Sequence, residues 1–188
     1  DKFRAAMRAA ELTVVIDVVH TETTEQADWI LPESSQYEKA EATFFGANFP
    51  ANTFHLRQAI LEPLEGTLTE PEIHSRLVQA SGVLDGVDFE PLREAAEQGL
   101  DAFAEAFMAA AMENPAISAY GAVVLYETLG KSLPAGKEGA AVLWFSCQMA
   151  AQKYPDQIRA AGHQGDGPKL GNALFQAICG PVTLAPSI

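Results

Sequence analysis

The chain has 188 residues, and its 25 Asp and Glu against 12 Lys and Arg give a formal net charge of −13. This length is sufficient for one domain with a substantial core, or for one domain with a helical annex. The acidic balance argues against a nucleic-acid-binding surface, which needs basic clusters, and against contact with an anionic membrane. No apolar run approaches the length of a transmembrane helix, and no signal peptide opens the chain.

The first elements are predicted from short apolar patterns. Apolar residues at helical spacing predict a helix over residues 2–10. The β-branched run of residues 13–16 predicts a strand. No polar residue alternates through this run, so we expect a strand covered on both faces, as in a parallel α/β sheet. Ligands of such sheets bind at the carboxyl ends of the strands, where Asp17 follows.

A helical turn, a second strand and a loop are predicted next. Thr23 and Gln26 form a capping box, which predicts that a short helical turn begins there. Residues 29–31 form another apolar run, and Pro32 ends it as a short strand. Residues 33–52 show no sustained period, which predicts a long ordered loop.

The remainder of the chain is predicted to be mainly helical. Residues 54–61 are typical of a strand or an extended segment. Thr69 and Glu72 form a capping box at the start of the next helix, and residues 123–126, within a later one, could instead be strand. Helices are predicted over residues 69–80, 88–113, 117–129, 140–152, 156–161 and 169–178, and a strand could begin at residue 182.

The predicted fold class is therefore α/β, with a partial Rossmann-like parallel sheet layer and a largely helical remainder. Residues 1–82 form the α/β, cofactor-binding portion, and residues 83–188 form a mainly helical portion packed on it within one domain. A doubly wound sheet needs more strands than these patterns supply, so we expect an incomplete chain.

The two cysteines do not indicate a metal site. Cys147 and Cys179 are far apart in apolar contexts, and neither lies in a metal-ligand spacing. We expect two buried thiols in a reducing, cytoplasmic compartment, with a single disulfide as the alternative.

A set of spaced residues between positions 13 and 57 forms a recognisable pattern that covers about a quarter of the chain. Its members are Asp17, Thr21, Thr23, Ala27-Asp28, Leu31-Pro32, Glu38, Thr43 and Arg57. This pattern resembles the molybdopterin oxidoreductases that carry a bis(molybdopterin guanine dinucleotide) cofactor, the dimethyl-sulfoxide-reductase and formate-dehydrogenase group. Residues 63–82 and, weakly, 173–178 also resemble segments of these proteins.

The resemblance implies a cofactor-binding role for five of these residues. Asp17 would accept hydrogen bonds from guanine, or alternatively cap a neighbouring turn. Thr21 would offer its hydroxyl or N–H group to the same nucleotide, while Thr23 is either a ligand or a helix cap. Asp28 is either a cofactor contact or a structural tie, and Arg57 would pair with a phosphate or a carboxylate.

Other candidate sites are weaker. Glu38 matches the resemblance, but we expect it to tie loops together through backbone N–H groups. The glycine-rich segment 165–169 lacks the spacing of a phosphate-binding loop and reads as a connector. The four histidines, His20, His55, His74 and His163, show no metal-ligand spacing, and no nucleophile–histidine arrangement is recognisable.

The sequence thus predicts an internal segment of a molybdopterin-dependent oxidoreductase that binds one guanine dinucleotide arm and is not catalytic alone. The parent enzyme would hold molybdenum or tungsten and an iron–sulfur cluster, the latter outside this segment. Its partners would be the remaining domains of the parent, with no nucleic acid and no membrane contact. One alternative is a stand-alone acidic module that binds a nucleotide or protein without redox chemistry. Another is a helical interaction protein whose Phe103 and Phe107 line a partner-binding groove.

Overall fold

A computed structural model describes residues 2–43 and 55–184. Residues 44–52 of the predicted loop, Phe54 and Ala185 lie outside the described residues. The strands are β1 (Val14–Asp17), β2 (Trp29–Pro32), β3 (Glu41–Thr43) and β4 (His55–Arg57). The α-helices are α1 (Lys2–Ala9), α2 (Glu70–Ala80), α3 (Glu90–Gln98), α4 (Leu100–Glu113), α5 (Pro115–Ala119), α6 (Gly121–Glu127), α7 (Val142–Lys153), α8 (Pro155–Ala160) and α9 (Pro168–Leu184).

Strands β1 and β2 pair in parallel, with Val14 opposite Trp29 and Asp17 opposite Pro32. A single parallel bridge between Glu33 and Leu68 extends the pairing beyond β2. The mixed α/β class with a parallel strand layer and a largely helical remainder is confirmed.

The prediction that the first strand is covered on both faces is wrong. Val14 is 43% exposed, and on β2 Trp29 is 66% and Ile30 36% exposed. A continuous apolar run favours a covered strand, but the covering elements must come from elsewhere in the chain. In the described residues, the helices gather around α4, α7 and α9 instead.

Part of the predicted loop forms a strand. β3 pairs with β4 in antiparallel fashion, with Glu41 opposite Arg57. The partner of β3 lies more than ten residues further along the chain, so no local pattern reveals the pairing. The extended segment predicted over residues 54–61 is confirmed in part by β4.

The two predicted capping boxes begin helical segments without making capping bonds. A 3₁₀ turn covers Thr24–Gln26, and α2 follows Thr69. Neither the Thr23 nor the Thr69 side chain accepts a capping hydrogen bond from a backbone N–H group. The segments are therefore placed as predicted, but the side-chain bonds inferred for them are wrong.

Glycine divides the long helix predicted over residues 88–113. Gly99, at φ +118°, separates α3 from α4. The predicted helix over residues 117–129 is divided as well, into α5, α6 and a 3₁₀ turn at Leu129–Ser132. The strand alternative for residues 123–126 is wrong, because these residues are helical. The strand suggested at residue 182 is also wrong, since α9 continues through Leu184.

The main core lies among the helices around three aromatic rings. Phe103 and Phe107 on α4 each meet the indole of Trp144 on α7 edge-on, with ring centroids 5.2 and 5.4 Å apart. Cys147 and Cys179 are buried nearby as free thiols, as expected. Burial raises the pKa of Cys147 to about 12 and that of Cys179 to about 11. No helix in the described part of the chain is both long and apolar enough to span a membrane.

Polar contacts join α2, in the first portion, to α6 in the second. The Ser75 hydroxyl donates to Glu127 Oε1 at 2.5 Å, and Ser75 is only 1% exposed. The Tyr126 hydroxyl donates to Glu72 Oε2 at 2.5 Å. These bonds fix α2, and with it the segment that pairs with β2, against the helical core.

Candidate functional site

Asp17 lies at the carboxyl end of β1, where its own loop orients its carboxylate. Its carbonyl accepts from the Glu33 N–H at 3.1 Å, which continues the parallel pairing. Carboxylate Oδ1 accepts from the Val18 N–H at 2.8 Å and, at 3.4 Å, from the Val19 N–H. One oxygen of the half-buried Asp17 thus caps the turn, as the alternative interpretation proposed.

The second oxygen is less engaged. Asp17 Oδ2 accepts from the Thr21 hydroxyl at 3.4 Å, a long hydrogen bond. A carboxylate has about four acceptor positions, so this group keeps capacity for further donors. The structure brings Asp17 and Thr21 together. However, the Thr21 N–H donates to Thr24 Oγ1 at 2.7 Å, so Thr21 has its hydroxyl rather than its N–H to offer.

Thr24 organises this loop and was not identified from the sequence. It is 1% exposed, and its hydroxyl donates to the Thr21 carbonyl at 2.8 Å. Its Oγ1 also lies 3.3 Å from His20 Nδ1. The tautomer of His20 decides which of these two atoms donates in this contact. The run of threonines was the available signal, but the capping pattern assigned the role to Thr23.

An exposed aliphatic surface flanks the Asp17 carboxylate. Val18 is 49% and Val19 59% exposed, although both directly follow a strand of apolar residues. His20 is exposed as well. The loop therefore presents a carboxylate beside apolar side chains, an arrangement suited to the edge and face of a planar base.

The structure does not bring Thr23 and Asp28 to Asp17. Thr23 is exposed and begins the 3₁₀ turn. Asp28 Oδ2 accepts from the Thr13 N–H at 2.7 Å, at the amino end of the strand pair. Strands rise about 3.3 Å per residue and Asp28 lies four residues before Pro32, the partner of Asp17, so the pair separates Asp28 from Asp17 by roughly 13 Å. Asp28 acts as the structural tie that was its alternative interpretation.

Arg57 lies in the second sheet and is bound to protein groups. Its Nη2 is 2.5 Å from Glu41 Oε2, and its Nη1 donates to Gln36 Oε1 at 3.3 Å. Nε is buried without a hydrogen-bond partner. Of the two predicted partners, the structure shows the carboxylate.

Glu38 ties two loop segments together, as expected. Its carboxylate accepts from the N–H groups of Ser35 at 2.7 Å and Leu64 at 3.0 Å. The bond from the Ser35 N–H is the main cause that lowers the pKa of Glu38 below its ordinary value. An ion pair between Lys39 and Glu33, both nearly buried, holds the same loop.

Comparisons with family models, with curated proteins and with solved structures found no match.

Neither a metal cluster nor a phosphate-binding loop is found among the described residues. The described residues contain no group of three or more His, Cys, Asp or Glu side chains that could hold a metal ion. The glycine-rich segment connects α8 to α9, and Arg159 forms an ion pair there with Asp166. The Asp166 carboxylate would repel a phosphate, and the Arg159 guanidinium that could attract one is already paired with it. The segment therefore acts as a connector.

Proposed function

We propose that this chain is a segment of a molybdopterin-dependent oxidoreductase and forms part of the site for one guanine nucleotide of its cofactor. One observation carries the proposal. The Asp17 carboxylate stands at the carboxyl end of a parallel strand, where backbone N–H groups orient it and leave one oxygen with only a long bond. The resemblance of residues 13–57 supports the same role.

The chemistry of Asp17 fits guanine. Guanine presents its ring N1–H and its 2-amino group as two parallel donors, and a carboxylate accepts both. Adenine has no such pair. The bond from the Val18 N–H occupies one position on Oδ1 and leaves another position for the base. On Oδ2, a donor of the base can replace the long hydrogen bond from the Thr21 hydroxyl, because the turn is capped through Oδ1.

Neighbouring residues have supporting roles in this proposal. The exposed side chains of Val18 and Val19 offer an apolar surface for the face of the base. The Thr21 hydroxyl can turn to a ribose or phosphate oxygen. Arg57 would bind a phosphate only by breaking its ion pair with Glu41. Asp28 stabilises the strand pair by accepting from the Thr13 N–H. Thr23 adds an exposed hydroxyl to the loop.

The bound cofactor would supply the redox chemistry of its molybdenum or tungsten, and this segment would bind and orient the nucleotide arm. The remaining domains of the parent would hold the metal and an iron–sulfur cluster. We also propose a cytoplasmic location, because the two buried, unbridged thiols suit a reducing compartment.

Titration of the full chain with GMP and AMP tests the proposal. The backbone amide signals of Val18 and Val19 report the contact, since both N–H groups point at Asp17. We expect GMP to bind about 5- to 150-fold more tightly than AMP, the discrimination typical of a two-bond base contact. Asp17→Asn should remove this preference while its remaining oxygen still caps the turn.

Asp28→Asn is the matched control. It makes the same chemical change at the amino end of the strand pair and keeps an oxygen for the Thr13 N–H. Its nucleotide preference should equal that of the native chain. Equal binding of GMP and AMP by the native chain would favour the stand-alone module over the cofactor site.

A further inference from the structure

An apolar groove runs between α4 and α7 on the helical portion, away from Asp17. Its cavity is about 330 Å³ and ends at Gly167 and Pro168. The buried Phe107 and Trp144 form its floor. We call it the methionine groove and define it by Phe107, Met108, Trp144, Phe145 and Met149.

The rim of the methionine groove is exposed. Met108 is 54%, Phe145 51% and Met149 51% exposed, and Met112, one turn beyond Met108, is 83% exposed. Met108 and Met149 line the groove, and Met112 continues the stripe of Met108 along α4. Methionine is unbranched and polarizable, and surfaces rich in it adapt to apolar partners.

The spacing of the rim residues suits a helix as the occupant. Met108 and Met112 are four residues apart on α4, and Phe145 and Met149 are four residues apart on α7. Each pair therefore forms a stripe along its own helix. Two such stripes over an aromatic floor form an elongated trough, which can accept the apolar face of an amphipathic helix.

The charges on the α4 side of the groove are acidic, while Lys169 of α9 lines a neighbouring cavity together with Asp101. Asp101 and Glu105 continue the stripe of Met108 and Met112 toward the amino end of α4, at helical intervals of four, three and four residues. Helix α4 carries three acidic residues and no Lys or Arg. On α7 the one basic residue, Lys153, lies 5.1 Å from the ring centroid of Tyr154.

We propose that the methionine groove binds an amphipathic helix of another protein, with apolar residues along one face and Lys or Arg at one end. The cationic end would lie over Asp101 and Glu105, and the apolar face over the methionines. A second copy of this chain is a poorer occupant, because each copy carries a net charge of −13 and the copies repel each other. This inference is independent of the proposed nucleotide site.

Methionine methyl NMR on the full chain tests the inference. The probe is a helical peptide of roughly 14 residues built from Leu and Lys, long enough to hold helical structure when bound. The control is a peptide of the same length with Glu in place of Lys. We expect saturable shifts of the Met108, Met112 and Met149 methyl signals with the Leu/Lys peptide. Met7, on α1, serves as the internal control and should not move.

Variants on α4 locate the charged contact. Glu105→Gln should lower the affinity for the Leu/Lys peptide about two- to fivefold, which is the range of one exposed charge pair. Glu113→Gln is the control, because Glu113 faces a different cavity beside Asn114 and Ile117. Phe145→Asp, at an exposed position, should abolish binding while the circular dichroism spectrum is retained.

Three results would overturn the inference. Equal affinity for the two peptides would show that charge complementarity does not contribute to binding. An equal shift of the Met7 methyl signal would show that the peptide binds non-specifically. Shifts of the groove methyls with protein concentration alone would assign the groove to a second copy.

Discussion

Glu38 shows how a single carboxylate can hold a loop in place. Because N–H groups of Ser35 and Leu64 lower its pKa below the ordinary 4.5, the charged form stabilises the fold. That contribution is present above pH 4.5 and is lost as the pH falls through the lowered pKa of the folded state. We expect Glu38→Gln to lower the urea midpoint at pH 7, and the difference from the native chain to shrink at acidic pH.

Urea denaturation of Glu38→Gln between pH 3 and pH 7 measures this difference. Glu65→Gln, a change at an exposed carboxylate close to Leu64, is the control and should leave the midpoint unchanged. A difference that stays constant with pH would contradict the role assigned to the Glu38 charge.

Phe103 is the side chain whose loss should cost most. It is fully buried, and its ring meets that of Trp144 edge-on at 5.2 Å. Phe103→Ala should lower the free energy of unfolding by about 3–5 kcal/mol, as removal of a buried aromatic ring does. Phe145→Ala, at a residue 51% exposed, should cost less than about 1 kcal/mol. Chemical denaturation of both variants checks the pair.

Contacts between residues that are close in sequence could be predicted from the sequence. The end of an apolar run located Asp17, and Thr21 is close enough in sequence to meet it. Thr24 was missed because capping statistics favour the position before a turn, whereas here its buried hydroxyl binds the Thr21 carbonyl and N–H. The partners of Arg57 were not predictable, since Gln36 and Glu41 meet it only after the second sheet forms.

Among the secondary-structure elements, the break between α3 and α4 depends on the backbone of Gly99. Its φ of +118° is accessible to glycine and strained for other residues, while no atom lies within 4 Å of an added Cβ. Gly99→Ala should therefore destabilise the fold by about 1–3 kcal/mol through backbone strain alone.

Gly121→Ala is the matched control. Gly121 begins α6, also has no atom within 4 Å of an added Cβ, and does not have a positive φ. Alanine there should be neutral or stabilising by about 0.4–1 kcal/mol. Thermal denaturation compares the two variants, and equal effects would contradict the conformational explanation.

Helices with a strong apolar period were predicted well, but the breaks within them were not. The apolar period of α3 and α4 continues through Gly99, so sequence alone favours one helix. The parallel pairing of β1 and β2 followed from apolar runs, but strand β3 is short and its pairing with β4 is not local. The exposed faces of β1 and β2 show that an apolar run predicts a strand better than it predicts what covers it.

At the scale of the whole molecule, hydrogen bonds between α2 and α6 help to join the two portions. Burial and the bond to Glu72 raise the pKa of Tyr126 above its ordinary value of 10. A raised pKa means that the neutral Tyr126 stabilises the fold fully below pH 10, and that this contribution is lost as the pH rises further. The native chain should therefore lose stability above pH 10, and Tyr126→Phe should lose less over the same interval.

Urea denaturation between pH 8 and pH 11 measures this loss, with Tyr37→Phe as the control because Tyr37 is 51% exposed. Tyr126→Phe should also cost about 1–2 kcal/mol at pH 8, where it removes the hydrogen bond to the Glu72 carboxylate. Identical alkaline profiles for the native chain and Tyr126→Phe would contradict the role of this bond in joining the two portions.

The central claim concerns what Asp17 binds, and comparison of GMP with IMP tests it most directly. IMP keeps the N1–H of guanine and lacks only its 2-amino group, so the pair isolates one of the two proposed bonds. We predict that the native chain binds GMP at least about fivefold more tightly than IMP, and that Asp17→Asn binds the two alike. Equal affinities in the native chain, or a preference that survives Asp17→Asn, would show that Asp17 does not recognise guanine.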